Sequence, residues 1–286
     1  MNITKHMTVL EALSFGTAQL REAGVPDASH DATYLLSHVI KLERLMLHFH
    51  GSQTLLPEQE QRYRELLLCR TQREPLQYIL AEAYFYGRPF YVDKRVLIPR
   101  QETETLCEIG LQCISSLSSP LVLDVCTGSG AIALTIKQEH PNASVSATDI
   151  SADALAVAEK NALSHLQEIT FYQGDLFAPI GENRYDLILS NPPYIESTEC
   201  VTLQEEVLCE PLLALDGGDD GLVFYRRFAN EAHLHLAKGG NILLEVGHQQ
   251  AQTVLELFAK TGYYDQLKIH HDLYGVARIV QGTLCN

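Results

Sequence analysis

The sequence predicts an α/β protein: a doubly wound, mostly parallel sheet with an antiparallel element at its end, plus an N-terminal helical bundle. Three observations predict it. Residues 1–80 read as helical. From residue 120 onward, strand-like and helix-like stretches alternate. The last two strand-like segments, KIHHDL (268–273) and ARIVQG (277–282), lie too close for a crossover helix and must pair antiparallel.

The elements follow in order. Thr8 and Glu11 form a capping box, and Val9, Leu10, Leu13, Ala18 and Leu20 follow at mostly helical spacing until Gly24 and Pro26 stop the helix. DASHDATYLLSHVI gathers Leu35, Leu36, Val39 and Ile40 on one side, and Pro57 opens a charged helix with an apolar patch at Leu66–Leu68. Short connections between them describe a small bundle. In YFYGRPFYVDKRVLI, aromatic and β-branched residues surround Gly87-Arg88-Pro89, which marks a hairpin. The domains are therefore expected at 1–80 (helical), 81–98 (hairpin linker) and 99–286 (sheet domain). A helix opens at Glu102-Thr103-Glu104. LVLDVC (121–126) is a continuous apolar run, as a parallel strand buried on both faces requires. A helix over 131–139, a strand at 144–150, a helix capped by Ser151, and strands at 169–175 and 185–191 come next. A helical stretch over 221–237, a strand at 239–247 and a helix from Ala251 complete the pattern.

Composition narrows the function classes. Hydrophobic residues make up 46% and charged residues 20%, which is globular. No apolar run reaches the length of a membrane span, and MNITKHMTVLEAL lacks the basic-then-apolar pattern of a signal peptide. Seven scattered cysteines, without CxxC or zinc-like spacing, point to reduced thiols in the cytoplasm and to no metal site. A net charge of −15 opposes duplex nucleic acid as the main partner, because phosphate neutralisation dominates such binding.

Two motifs carry chemistry. The first strand ends in D-V-C-T-G-S-G-A-I-A, where Gly128 and Gly130 let the backbone approach a ligand and Ala133 lets the next helix pack closely. Asp149 follows about twenty residues later at a strand end, placed for ribose hydroxyls. The pattern fits a dinucleotide, and a bare tight turn would look similar. It also fits S-adenosylmethionine, which has an adenosine for the acid and a polar tail for loop amides. Two features favour the latter: Asp175 ends the third strand, facing an adenine amino group, and LILSNPPYIES ends the fourth on a stiff turn. There the prolines fix φ and push Asn191 toward an extended conformation, so its carboxamide is held still beside the flat ring of Tyr194. A Pro-Pro turn capping a buried strand is the plainer alternative.

DVCTGSGAIAL with NPPY resembles S-adenosylmethionine-dependent methyltransferases that modify a planar nitrogen. REPLQYIL (73–80), VLIPRQETE (96–104), EPLLALDGGDDGL (210–222) and LLEVGHQQ (243–250) extend the resemblance to the release-factor glutamine methyltransferases of the HemK/PrmC type. The resemblance implies a Rossmann-like methyltransferase fold and, as substrate, the glutamine of the Gly-Gly-Gln motif in peptide chain release factors, methylated at N5. It assigns Cys126, Thr127, Gly128, Ser129, Gly130, Asp149, Asp175, Leu176 and Asn191 to the cofactor, and Asn191, Pro192, Pro193 and Tyr194 to the glutamine amide. Related chemistries on a ribosomal-protein glutamine or on adenine N6 share Asn-Pro-Pro-Tyr. The chain departs from the family's common residues at Ala81 and Cys126 (glycine), Gln101 (proline) and Leu176 (tryptophan). The expected mechanism has the Asn191 side-chain oxygen and the Pro192 carbonyl accepting the two amide N–H bonds, Tyr194 stacking on the amide plane, and no general base.

Overall fold

Thr8 starts the first helix by the reciprocal bonding that its spacing to Glu11 predicts. Its hydroxyl accepts from the Glu11 N–H (3.3 Å) and the Glu11 carboxylate accepts from the Thr8 N–H (2.7 Å). The computed structural model describes residues 6–285, which divide into two compact units: residues 6–81 with Gln204–Cys209, and Glu82–Leu203 with residues 210–285.

The first unit packs α1 (Val9–Glu22), α2 (Ala28–Ile40), α3 (Pro57–Thr71) and the short α4 (Leu76–Leu80) around Leu20, Leu35, Leu36, Tyr63 and Leu67. Arg70 is buried, and a buried cation needs partners to offset its desolvation. It donates to Asp31 (2.7 Å) and Glu206 (2.8 Å), while Arg73 donates to both oxygens of Glu206 at 2.7 Å. The two guanidinium groups, Arg73 first, hold the Glu206 carboxyl down at about 2. Segment 204–209 thus belongs to the helical unit although the sequence places it far downstream.

Ala81 caps α4 with φ 55°, the left-handed region. This is one of the positions where glycine is expected, and an L-residue there is strained by about 1–2 kcal/mol. Ala81→Gly is expected to stabilise the chain by roughly 0.5–1 kcal/mol after the entropic cost of glycine, read as a higher midpoint in thermal unfolding.

The second unit opens with a hairpin, β1 (Ala83–Phe85) and β2 (Arg88–Phe90), whose turn residues Tyr86 and Gly87 have φ 51° and 73°, as a tight primed turn requires. Then follow α5 (Glu102–Ile114), β3 (Leu121–Val125), α6 (Ala131–Glu139), β4 (Ser144–Asp149), α7 (Ala152–Ser164), β5 (Thr170–Gln173), β6 (Tyr185–Ser190) and α8 (Ser197–Cys200). The chain ends with α9 (Val223–Glu231), β7 (Leu236–Glu245), α10 (Ala251–Thr261), β8 (Tyr264–His271) and β9 (Ala277–Leu284). The sheet order is β5-β4-β3-β6-β7-β9-β8; β3 to β7 run parallel, and β9 lies antiparallel between β7 and β8.

Alternation along the strands fills both faces. Val122, Leu187 and Leu189 join Leu106 of α5 and Leu134 of α6 on one side. Leu123, Val125 and Ile188 join Phe228 of α9 and Phe258 of α10 on the other. One expected boundary is wrong. The helix read over 221–237 stops at Glu231, passes through a 3-10 turn at Ala232–Leu234, and β7 begins at Leu236. Gly239, with φ 71°, lies where the β6–β7 register shifts between Tyr185 and Leu187, so the glycine pair marks an irregularity inside the strand rather than its start. Among the described residues no helix is long and apolar enough to cross a membrane.

Candidate active site

Parallel order brings the carboxyl ends of β3, β4, β5 and β6 to one edge, and the chain reverses its winding between β3 and β6, where open α/β sheets form their ligand crevice. The loop after β3 is built from within. Asp124 is buried, and its Oδ2 accepts from the Thr127 hydroxyl (2.6 Å) and from the Ala133 N–H (3.2 Å), tying strand, loop and helix start together. Burial pushes this carboxyl up to about 7 despite those two bonds. Cys126, Gly128 and Gly130 all have positive φ (62°, 56° and 81°). Cys126 is thus a second left-handed residue where the family commonly has glycine.

The two glycines differ in what they serve. A Cβ on Gly130 would lie 3.1 Å from the Ala158 Cβ on α7, so Gly130 serves helix packing; a Cβ on Gly128 would meet nothing within 4 Å. Gly128 therefore faces open space. Its N–H donates to Asp149 Oδ2 (2.9 Å), and the Ser151 N–H donates to Asp149 Oδ1 (2.9 Å). Asp149 fixes the loop while its oxygens keep lone pairs for a ligand. Burial raises its pKa, against the lowering effect of those two N–H groups.

These groups line one cavity of about 340 Å³. Of the residues expected from sequence, Cys126, Thr127, Gly128, Ser129, Asp149, Asp175, Leu176, Asn191 and Pro193 form its wall. Gly130, Pro192 and Tyr194 do not line it. Tyr194 sits behind the turn, half-buried, with its carbonyl accepting from the Gln250 side-chain amide (2.9 Å) and its ring against Gly247. Burial pushes its hydroxyl up to about 12. Asp175 is already paired: both its oxygens accept from Arg227 of α9, at 2.8 and 3.1 Å.

Several wall residues were missed by sequence reading. Thr103, Arg100, Leu213, Phe224 and Arg227 all line the cavity. The Asn191 side-chain nitrogen donates to the Thr103 hydroxyl (3.2 Å), which donates to Glu245 Oε2 (2.6 Å). Glu245 is 2% exposed, and burial pushes it up to about 7, opposed by its bond from Thr103. Glu210 accepts from the Ile98 N–H (3.0 Å) and pairs with Arg100, which locks the Ile-Pro-Arg segment into the wall beside Pro211 and Leu213. The two sequence segments 96–104 and 210–222 are thereby one structural feature. The only signal that pointed to them was their joint appearance in the family resemblance.

Both units have counterparts among known proteins. Residues 11–80 match the family described as PrmC N-terminal domain, and residues 107–218 match the methyltransferase small domain. A "Release factor glutamine methyltransferase" of Geobacter sulfurreducens is 40% identical over 97% of this chain and 97% of its own length. The protein of that name from Cereibacter sphaeroides is 40% identical over 97% of this chain and 99% of its own. The crystal structure of a methyltransferase from Pyrococcus furiosus shares the fold, with a TM-score of 0.53 at 17% identity, covering 71% of this chain and 91% of that one. With such identity sustained across both units, the chain belongs to the release factor glutamine methyltransferase family.

Proposed function

We propose that this chain transfers a methyl group from S-adenosylmethionine to the N5 nitrogen of the glutamine in the Gly-Gly-Gln motif of peptide chain release factors. One observation carries the reading: Asn191, held by Thr103 at the end of β6, opens onto the same cavity as Gly128 and Asp149. The cavity volume is in the range of small-molecule sites. Open space over Gly128 and a carboxylate with unused lone pairs at Asp149 suit an adenosine-bearing cofactor. S-adenosylmethionine, when bound, supplies a methyl group activated by a sulfonium.

The chain's own residues supply position and polarity. Asp149 accepts from ribose hydroxyls, Leu176 and Phe224 offer apolar surface, and Asp175 with Arg227 closes the adenine end. An amide nitrogen is a weak nucleophile because its lone pair is delocalised into the carbonyl. The Asn191 side-chain oxygen and the Pro192 carbonyl accept its two N–H bonds, aim it, and stabilise the positive charge it acquires. Alignment of this kind contributes on the order of 7–11 kcal/mol to lowering a barrier. The methylated nitrogen is strongly acidic and loses its proton to water, so no side-chain base is assigned. Tyr194, which follows the prolines and packs against Gly247, is assigned to stack on the amide plane when the substrate enters. Tyr194→Phe is expected to keep far more initial rate than Tyr194→Ala; equal losses would transfer the role to the hydroxyl.

The helical unit recognises the protein substrate, since one glutamine side chain offers too little surface for specificity. The reading is tested with labelled cofactor and two acceptors, a purified release factor and adenine-containing DNA, at low and moderate salt. Label is expected on the release factor at both. Label on DNA alone, lost as salt rises, would assign the site to nucleic acid.

A further inference from the structure

Asn191 is useful as an acceptor only if its oxygen, not its nitrogen, faces the cavity. The two ends of a carboxamide have nearly the same size, so packing alone does not choose between them. Hydrogen bonding does. A threonine hydroxyl has one hydrogen, and that of Thr103 goes to Glu245 Oε2 (2.6 Å). Toward Asn191 the hydroxyl has only lone pairs left, so it accepts the Asn191 N–H (3.2 Å). We propose that Thr103 and Glu245 are positioning residues that set which end of the Asn191 carboxamide meets the substrate. The proposal rests on the acceptor role of Asn191 argued above.

The direction of the relay depends on the charge of its last member. As a carboxylate, Glu245 can only accept, and every bond in the chain points away from the cavity. Once protonated on the oxygen that faces Thr103, Glu245 donates to the hydroxyl, whose own hydrogen is then released toward Asn191 and pairs with the carboxamide oxygen. The amide turns and its nitrogen faces the substrate amide, donor against donor. The groups around Glu245 hold the switch near neutrality. Burial raises its pKa to about 7, with Glu102 of α5 adding to the rise. Arg278 of β9, itself paired with Asp272, and Arg100 of the Ile-Pro-Arg segment act the other way. Tyr194 behind the turn and Cys107 of α5 also face this charge, and the Tyr225 hydroxyl of α9 donates to the Glu245 main-chain oxygen (2.9 Å). The active form is the carboxylate, so the rate is full above the Glu245 pKa and falls about tenfold per pH unit below it.

The test uses the full-length enzyme, labelled S-adenosylmethionine and a release factor, with kcat, KM and cofactor affinity measured from pH 5.5 to 8.5, a window set by the ~7 value of Glu245. Thr103→Val is expected to lower kcat on the order of 10²-fold, with cofactor affinity changed only a few-fold. Thr103→Ser, which restores the hydroxyl, is expected to regain most of that loss. Glu245→Gln, near-isosteric and unable to ionise, is expected to lose the acidic limb of kcat at saturating cofactor, where the titration of Asp149 does not enter, whatever its plateau. Circular dichroism identifies any variant that has lost its fold; should Thr103→Val be one, the serine variant and the Glu245→Gln profile decide. An unchanged kcat in folded Thr103→Val, a serine variant no better than valine, or an acidic limb persisting in Glu245→Gln would each overturn the relay. Asn191→Ala separates the two levels. Full activity there refutes the acceptor role itself, whereas a dead Asn191→Ala beside a fully active Thr103→Val refutes only the relay.

Discussion

Asn191→Ala is expected to reduce kcat for methyl transfer by roughly 10²–10³-fold, the usual loss when one preorganised polar contact to developing charge is removed. The substitution removes the acceptor and the group that Thr103 holds in place. It leaves the β3 loop and Asp149 untouched, because their bonds run among Thr127, Gly128, Ala133 and Ser151. Cofactor affinity, measured by calorimetry, is therefore expected to change only a few-fold. Loss of affinity in step with kcat would mean that Asn191 belongs to the cofactor site and not to the nucleophile.

The opposite split is expected at Asp149. Its two oxygens each accept a main-chain N–H at 2.9 Å, from Gly128 and from Ser151, and they face the cavity at a strand end. Asp149→Ala removes the proposed ribose acceptors and releases the loop. Charge-assisted hydrogen bonds contribute about 1.5–3 kcal/mol each, so affinity for S-adenosylmethionine is expected to fall by roughly 10²–10³-fold. With saturating cofactor, kcat is expected to stay within about tenfold of the parent, because the amide acceptors are intact. Asp149→Asn does not rescue, since its NH₂ would point at a main-chain N–H. Because burial already raises the Asp149 pKa, affinity is also expected to weaken as pH falls and the carboxylate is lost. Unchanged affinity in Asp149→Ala would remove the glycine loop from the cofactor site.

What the sequence made legible was local. The apolar run at 121–126, the Ser151 cap and the spacing of Thr8 to Glu11 act through neighbours a few residues away, and β3, α7 and α1 stand where they were expected. The glycine loop and Asp149 were legible because a strand end, a turn and a helix start follow one another along the chain. Thr103 and Glu245 were not, because 142 residues separate them and only the folded sheet with α5 packed on it brings them together. The same holds for Ile98 and Glu210, 112 residues apart, and for Arg227, whose helix gave no sign that it would reach Asp175. The glycines of 239–240 misled for another reason. Glycine marks breaks and bulges alike, and only pairing with β6 shows which. Gly130 likewise looks like a ligand-facing glycine in the motif but faces Ala158 in the fold.

The central claim is that the methyl group arrives on one carboxamide nitrogen. Mass spectrometry of a purified release factor, after incubation with the enzyme and isotopically labelled S-adenosylmethionine, tests it most directly. The account predicts one added methyl per molecule, located by fragmentation on the side-chain nitrogen of the glutamine in Gly-Gly-Gln, and accumulation slower by roughly 10²–10³-fold with Asn191→Ala. A methyl on any other residue, or the same glutamine methylated as fast by the Asn191 variant, would contradict it.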